Sequence, residues 1–300
     1  MRKPNRLVSS PQLMTVDEIH CKSILTRTSG YLQAVSSHSL NPYVGCGFGR
    51  SACGEGCYVR FNQWLMRGRE WGRFVDVKIN AAEIYLRTVK KEKNWARKEG
   101  GVFSVFFSSS TDPWQPVERE YRVTRQLLEA MHKAPPDQLI LQTHSARLLD
   151  DLERIQTLSK ICDLRVHISI EGDRDRLAGL PPPPCTLEER LAVLKELSDR
   201  KIPAVACLSP LYPMKAPDAF FLRLSQIGIT AVVIDHFIYG DGTKDGSRTL
   251  KTKLPQAMVE AEPDSVHLDY RDAIARIAEK YLPVGISSSG FAGHYSGPVR

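Results

Sequence analysis

The stretch QLILQTHSARLLDDLERIQTLSKICDLRVHISI, residues 138–170, predicts one strand–helix–strand unit. Residues 138–144 and 164–170 are short apolar runs of strand length, and residues 148–161 between them have helical spacing. Strands that alternate with helices of this length form parallel sheets with helical crossovers. The nearly continuous apolar character of the strands indicates that both faces of the sheet are covered.

The same alternation continues in both directions along the chain. Further strands are predicted at 38–44, 101–109, 202–208 and 229–235, and further helices at 81–96, 118–132, 186–200 and 218–227. The helix at 186–200 has the clearest start, because Thr186 and Glu189 form a capping-box pattern. About six units result, which predicts an α/β fold, a partial (β/α)6 TIM-like barrel rather than a closed eightfold one.

The flanking segments have weaker patterns. We expect residues 1–37 to be an irregular N-terminal leader packed on the core, 38–240 to be the barrel, and 241–300 to be a C-terminal extension. A helix is predicted at 59–71, a short strand at 74–79 and a helix at 270–281, whereas the glycine-rich end from residue 286 is expected to be irregular.

Composition is that of an ordinary globular protein, with 42% hydrophobic and 25% charged residues and a net charge of +7. The N-terminus shows no signal-peptide core, and no apolar run approaches the length of a membrane helix. We therefore expect a cytoplasmic monomer without membrane association. In that compartment a tight cysteine cluster indicates metal binding or catalysis rather than disulfides.

The cluster lies at residues 46–57, CGFGRSACGEGC, where Cys46, Cys53 and Cys57 stand among glycines. Thiolates bind soft and borderline metals, and glycine lets a loop wrap around a small group. Three cysteines would leave one iron of an iron–sulfur cluster open, because such clusters usually have four cysteine ligands. A structural zinc site remains an alternative, with His38 or a distant residue as the fourth ligand.

Polar residues follow every predicted strand, at the edge where parallel α/β folds bind their ligands. The strand ends are marked by the cysteine loop, by Ser108 to Asp112, by Gln142 to Ser145, by Ser169 to Glu171, by Ser209-Pro210 and by Asp235-His236. Six such ends on one rim, with three thiols among them, predict a binding site there.

These motifs resemble the radical S-adenosylmethionine superfamily, in the branch related to spore photoproduct lyase. The resemblance rests on motifs in the same order over residues 38–240. They are Asn41-Pro42-Tyr43 before Gly45-Cys46, then Cys57-Tyr58, Thr111 to Glu118, Thr143-His144-Ser145, Ser169-Ile170, Glu189-Arg190-Leu191, Lys201-Ile202-Pro203 and Ser209 to Pro213.

The resemblance implies a [4Fe-4S] cluster held by Cys46, Cys53 and Cys57, whose fourth iron is chelated by S-adenosylmethionine. Reductive cleavage of that cofactor would release a 5′-deoxyadenosyl radical that abstracts hydrogen from a substrate. An external electron donor such as a flavodoxin or ferredoxin would supply the electron. The resemblance assigns cofactor contacts to Thr111, Asp112, His144, Ser169 and Glu171, and a catalytic role to Tyr58.

The chain departs from the family pattern in two places, the cysteine spacing and the end of the second strand. The family has three and two residues between its cysteines, whereas this chain has six and three. Spore photoproduct lyase has a cysteine hydrogen donor near the end of the second strand, where this chain has Ser108 to Ser110, so we do not predict repair of that photoproduct. The identity of the substrate is left open, and nucleic acid is one of the candidates. The alternative function is a non-catalytic zinc module that binds nucleic acid.

Overall fold

The computed structural model describes residues 14–99 and 101–297. Its strands are β1 (Thr15–Ile19), β2 (Leu25–Arg27), β3 (His38–Leu40), β4 (Tyr43–Val44), β5 (Phe74–Lys78), β6 (Ser104–Phe107), β7 (Gln138–Thr143), β8 (Asp163–Ser169), β9 (Ala204–Leu208), β10 (Ala231–Ile234) and β11 (Val284–Ile286). Its α-helices are α1 (Ala52–Glu55), α2 (Gln63–Met66), α3 (Ala81–Lys98), α4 (Glu118–Tyr121), α5 (Val123–Lys133), α6 (Leu152–Leu158), α7 (Leu187–Asp199), α8 (Pro217–Ile227), α9 (Phe237–Gly240), α10 (Leu254–Ala261), α11 (Leu268–Ala278) and α12 (Ser287–Ala292).

The main sheet has eight strands in the order β11-β10-β9-β8-β7-β6-β3-β2 within the described part of the chain. All neighbouring pairs are parallel except β2 with β3. β2 and β11 form the two edges, so the sheet is an open barrel. The six predicted strand–helix units are present in the predicted order, which confirms the α/β partial-barrel fold.

The two faces of this sheet bury different sets of side chains, because successive residues of a strand point to opposite faces. Val105 and Phe107 of β6 pack in the larger core with the crossover helices. Phe106, between them, belongs to a separate cluster inside the barrel, together with Ile140, Val205, Cys207, Val233 and Phe291. The apolar strands are therefore buried on both faces, as their composition predicted.

Both flanking segments add strands to this sheet. β2 comes from the predicted leader and β11 from the predicted C-terminal extension. The expectation of an irregular end was wrong, because residues 284–286 pair with β10 and Ser287–Ala292 is helical. Part of the leader, residues 1–13, lies outside the described residues. The domain limits at 37 and 240 stay a prediction.

The predicted helix at 59–71 was also wrong. Asn62 accepts hydrogen bonds from the backbone amides of Trp64 and Leu65, which starts a new one-turn helix, α2. Arg67 and Gly68 then adopt left-handed conformations, with φ of 47° and 75°, and end it. The predicted strand at 38–44 divides in the same way, since β3 joins the main sheet while β4 pairs with β5 in a small sheet of order β1-β5-β4.

Across the described residues, we find no helix with the length and apolar character needed to cross a membrane.

Candidate functional site

A cavity of about 550 Å³ opens at the carboxyl ends of the barrel strands. All three cysteines of the loop line it, together with Tyr58. The predicted cofactor residues that line it are Thr111, Asp112, His144 and Glu171, whereas Ser169 is fully buried behind Gln142, whose amide donates to the Ser169 hydroxyl over 3.1 Å. The structure thus brings the predicted site residues together, and their roles stay predictions.

Backbone turns shape the cysteine loop, and the Gln115 side chain anchors its start by accepting from the Gly47 amide at 2.6 Å. After Cys46 the chain turns back twice, with the Gly49 amide bonding the Cys46 carbonyl at 3.0 Å and the Ser51 amide bonding the Phe48 carbonyl at 2.9 Å. The loop then enters α1, which carries Cys53. The extra residues between Cys46 and Cys53 are therefore taken up as tight turns at the cavity wall.

Two glycines make this path sterically feasible. Gly45 has a φ of 82°, a left-handed conformation that glycine adopts at little cost, and a Cβ there would lie 2.3 Å from the Phe74 carbonyl oxygen. A Cβ on Gly54 would lie 2.2 Å from the backbone of Gly49. The glycines of the motif therefore let two parts of the loop touch, which sets the positions of the cysteines between them.

Cys46 and Cys57 are buried enough to favour their neutral forms. Burial, followed by the charge of Asp112, raises the pKa of Cys46. Burial, followed by the neighbouring Cys53, raises the pKa of Cys57 to about 12. Thiols must lose their protons to bind a metal, so loading of this site would release protons and depend on pH.

The donor set suits a soft metal centre. The described residues contain no preassembled group of three or more His, Cys, Asp or Glu side chains arranged around one ion. Three thiols nevertheless share one cavity wall, a set typical of iron–sulfur and zinc sites. His38, considered above as a fourth zinc ligand, lies elsewhere: it is fully buried beside Trp95 and Phe103 and its Nε2 is 3.2 Å from the Glu92 carboxylate.

Asp112 organises the next part of the rim. Its carboxylate accepts hydrogen bonds from the Trp114 amide at 2.9 Å, the Thr143 hydroxyl at 2.8 Å and the His144 amide at 2.7 Å. These contacts tie the end of β6 to the end of β7. The Asp112 carboxylate is thus largely occupied by the protein itself, which favours a positioning role for this residue.

His144, Glu171 and Arg190 form a buried chain of charges beside the cysteines. His144 Nε2 lies 3.0 Å from one oxygen of Glu171, and Arg190 Nη1 lies 2.7 Å from the other. On its other side, His144 Nδ1 is 3.8 Å from the Cys53 sulfur. His144 is therefore the contact between the polar rim and the cysteine loop.

This chain shifts the pKa values of its members strongly. Burial by itself would raise the pKa of Glu171, but Arg190 and His144 together hold it well below its usual range. Burial by itself would lower the pKa of His144, but Cys53, Asp112 and Glu171 together hold it well above its ordinary value. The rim thus presents an ionised carboxylate and an imidazolium to the cavity.

The other side of the cavity holds a second buried carboxylate, Asp235. It accepts hydrogen bonds from the Tyr31 hydroxyl at 3.0 Å and the Ser287 hydroxyl at 2.6 Å. Burial raises the pKa of Asp235 despite these bonds. Nearby, Tyr58 donates to the Ser109 carbonyl at 3.0 Å, and burial and the adjacent Cys57 raise its pKa, so the phenol is held protonated.

Sequence reasoning missed several of these residues. Tyr31 and Ser287 lie 204 and 52 positions from Asp235, and no local pattern links them to it. Arg190 did carry a signal, because it lies on the buried face of α7 while most charged residues there point outward. A charge on an apolar face indicates a buried partner.

Four buried polar atoms of cavity-lining residues have no hydrogen-bond partner among the described residues. They are Trp71 Nε1, Ser108 Oγ, Thr111 Oγ1 and Gln142 Oε1. Buried polar groups are nearly always hydrogen-bonded, so orphaned atoms at a cavity wall mark where a ligand or water completes the site.

No family model matches the chain. An uncharacterized protein of Methanocaldococcus jannaschii is 28% identical over 180 residues, which cover 59% of this chain and 61% of the relative, less than two thirds of its length. An uncharacterized protein of Mycobacterium tuberculosis is 25% identical over 244 residues, 76% of this chain and 67% of the relative.

Among solved structures, a spore photoproduct lyase mutant with bound AdoMet and dinucleoside spore photoproduct superposes with a TM-score of 0.60. The match covers 91% of this chain and 82% of that chain at 12% sequence identity. The two chains thus share their architecture over most of their length. The predicted resemblance is confirmed at the level of the fold: the chain has the fold of spore photoproduct lyase.

Proposed function

We propose that the chain is a radical S-adenosylmethionine enzyme. The observation that carries this proposal is the convergence of Cys46, Cys53 and Cys57 with polar strand ends on one cavity of about 550 Å³. The fold supports it, since the same architecture holds AdoMet in the solved structure of spore photoproduct lyase.

In this proposal the three cysteines hold a [4Fe-4S] cluster in the cavity wall. When bound, the cluster would supply the electron for reductive cleavage of S-adenosylmethionine to methionine and a 5′-deoxyadenosyl radical, with a flavodoxin or ferredoxin as the external donor. The protein binds and orients that cofactor and excludes water from the cavity.

The surrounding contacts suggest how the rim residues divide this work. Thr111 Oγ1 is buried without a partner in the described chain and lines the cavity, so we assign it a direct contact to the cofactor. His144 and Glu171 offer a cation and an anion for the cofactor's carboxylate and amino groups. Asp112 and Ser169 act as positioning residues in this proposal, because Asp112 holds the His144 backbone amide and Ser169 lies buried behind Gln142.

The proposal is tested by anaerobic reconstitution with iron and sulfide, followed by reduction in the presence of S-adenosylmethionine. We expect about four irons per chain and release of 5′-deoxyadenosine, measured by iron assay and chromatography. Replacing Cys46, Cys53 and Cys57 together by alanine should abolish both signals. Cys162→Ala is the matched control, because that thiol is outside the cavity and donates to the Leu158 carbonyl.

Iron loading that survives loss of all three cysteines would refute the cluster assignment. One zinc per chain in protein purified without oxygen, with no uptake of iron, would favour the alternative of a non-catalytic zinc module. A nucleic-acid substrate predicts binding that weakens as salt rises, since phosphate contacts release counterions.

A further inference from the structure

Arg248 presents a cation to the cavity from the C-terminal extension. It lines the cavity, and its Nη1 donates to the Asp241 carbonyl at 3.1 Å. Among the described residues no carboxylate forms an ion pair with it, in contrast to Arg190, which is neutralised by Glu171. A guanidinium has five N–H donors, so most of the donors of Arg248 remain for a ligand.

The loop that carries Arg248, residues 241–249, is built to hold it in place. The buried Asp241 carboxylate accepts from the Thr243 amide at 2.9 Å with one oxygen and from the Thr249 amide at 2.8 Å with the other. Gly242 has a φ of 81°, and a Cβ there would lie 2.6 Å from Arg248 Nη1. The guanidinium therefore occupies a space that the backbone leaves open for it.

The same extension closes over the cysteine loop. A Cβ on Gly56 would lie 2.7 Å from a methyl group of Leu254, so the start of α10 lies directly on the end of that loop. Arg248 and Tyr58 both line the same cavity. Arg248 is thus close to the residues that we assign to the reaction.

The cavity also has an aromatic, apolar part inside the barrel. Tyr31 and Phe106 each pack edge-on against Phe291, with ring centroids 6.4 Å and 6.3 Å apart, and all three line the cavity. Ser108 Oγ, unpartnered in the described chain, lies at the same cavity. An apolar surface and a preorganised cation in one cavity match a molecule with an apolar or ring-shaped body and one anionic end.

We propose that Arg248 binds the anionic end of the substrate, a phosphate ester or a carboxylate, while its apolar body lies against Tyr31, Phe106 and Phe291. This inference rests on the proposed function, because the molecule that occupies this cavity is a substrate only if the chain is an enzyme. It does not depend on iron for its test, since Arg248 and the aromatic residues belong to the polypeptide alone.

The test measures binding of phenyl phosphate, benzoate and phenol to the full chain by calorimetry, with and without reconstituted iron. We expect the two anions to bind and phenol to bind much more weakly. Arg248→Gln, which removes the charge but retains a polar N–H group, should weaken anion binding about tenfold or more without changing the affinity for phenol. Whichever of the two anions binds more tightly indicates whether the anionic group of the substrate is a phosphate ester or a carboxylate.

Two further variants separate recognition from folding. Arg248→Lys should restore part of the anion affinity, which a purely structural role of the loop would not predict. Arg276→Gln, an exposed arginine outside the cavity, should leave anion binding unchanged. Thermal unfolding of each variant confirms that the chain remains folded.

The proposal is overturned if Arg248→Gln binds the anions as well as the natural chain, or if neither anion binds at millimolar concentration. It is also overturned if Arg248→Gln weakens S-adenosylmethionine binding by the same factor, since Arg248 would then serve the cofactor. If the chain never takes up iron but still binds anions through Arg248, the proposed enzyme function is refuted. The proposed anion site at Arg248 would still stand.

Discussion

Along the ends of β6, β7 and β8 the cavity wall is held by side chains, Asp112, His144, Glu171 and Arg190, that bond one another. The adjoining wall, residues 46–57, is held by backbone turns and glycine contacts, and among its thiols Cys53 approaches His144 at 3.8 Å. We call these the polar wall and the cysteine wall. The polar wall is preorganised by charge, whereas the cysteine wall is shaped by close backbone contacts.

This difference predicts that substitutions destabilise the two walls for different physical reasons. Removing a charge from the polar wall leaves its partner buried and unpaired, which is costly. Adding atoms to the cysteine wall forces its backbone apart, which is costly through steric overlap. Three substitutions in or near these walls test that distinction.

The largest effect is expected for Arg190→Met, which leaves Glu171 buried without its guanidinium. We expect a loss of about 3–5 kcal/mol in the free energy of unfolding, measured by urea denaturation. Arg223→Met is the matched control, because Arg223 pairs with Glu188 at 2.6 Å on the exposed surface. Its loss should cost about 1 kcal/mol or less, and equal losses for both variants would contradict the difference.

The cost of Arg190→Met should also depend on pH. The pKa of Glu171 is depressed in the folded chain, so its ionised form adds stability above its unfolded pKa of about 4.3. That contribution is lost as the pH falls through the lower folded pKa. The stability difference between the natural chain and Arg190→Met should therefore be largest near neutral pH and shrink in acid.

An intermediate effect is expected for Gly54→Ala. Its Cβ would meet the Gly49 backbone at 2.2 Å, so the loop must open, at a cost of about 1–3 kcal/mol and with reduced iron loading. Gly101→Ala serves as the control, because the nearest atom to its Cβ would be the Ala96 carbonyl oxygen at 3.5 Å. Unchanged iron uptake by Gly54→Ala would show that the glycine contact does not set the cysteine positions.

The smallest effect is the coupling between substitutions. His144→Gln and Arg190→Met remove contacts to the two oxygens of one carboxylate, so their combined cost should differ from the sum by about 1 kcal/mol. Arg190→Met and Gly54→Ala act on separate walls and should add within about 0.5 kcal/mol. Strong coupling in the second pair would mean that the two walls behave as one unit.

The barrel was predictable because its signals are local. The apolar runs at 138–144 and 164–170 and the capping box at Thr186 reflect burial and hydrogen bonding within a few residues. The helix expected at 59–71 was wrong because the Asn62 cap and the left-handed pair at 67–68 outweighed the apolar spacing. The end of the chain was misread because β11 is only three residues long and becomes a strand by pairing with β10.

Some residues of the candidate site could likewise be predicted from local sequence signals, and others could not. The cysteines, Thr111, His144 and Glu171 follow predicted strands or lie within one short loop, and the parallel order brings such positions to one rim. Tyr31, Ser287 and Arg248 come from the flanking segments, where no period or motif relates them to a strand end.

The sequence by itself determined that parallel strands alternate with helices, that three thiols lie in a glycine loop and that polar groups follow each strand. Local burial patterns and short spacings decide those features. Tertiary structure alone decided that Arg190 neutralises Glu171, that Tyr31 and Ser287 hold Asp235, and that Arg248 lines the cavity. These contacts join residues that are far apart in the sequence. They form only when the folded core brings those segments together, so no local pattern predicts them.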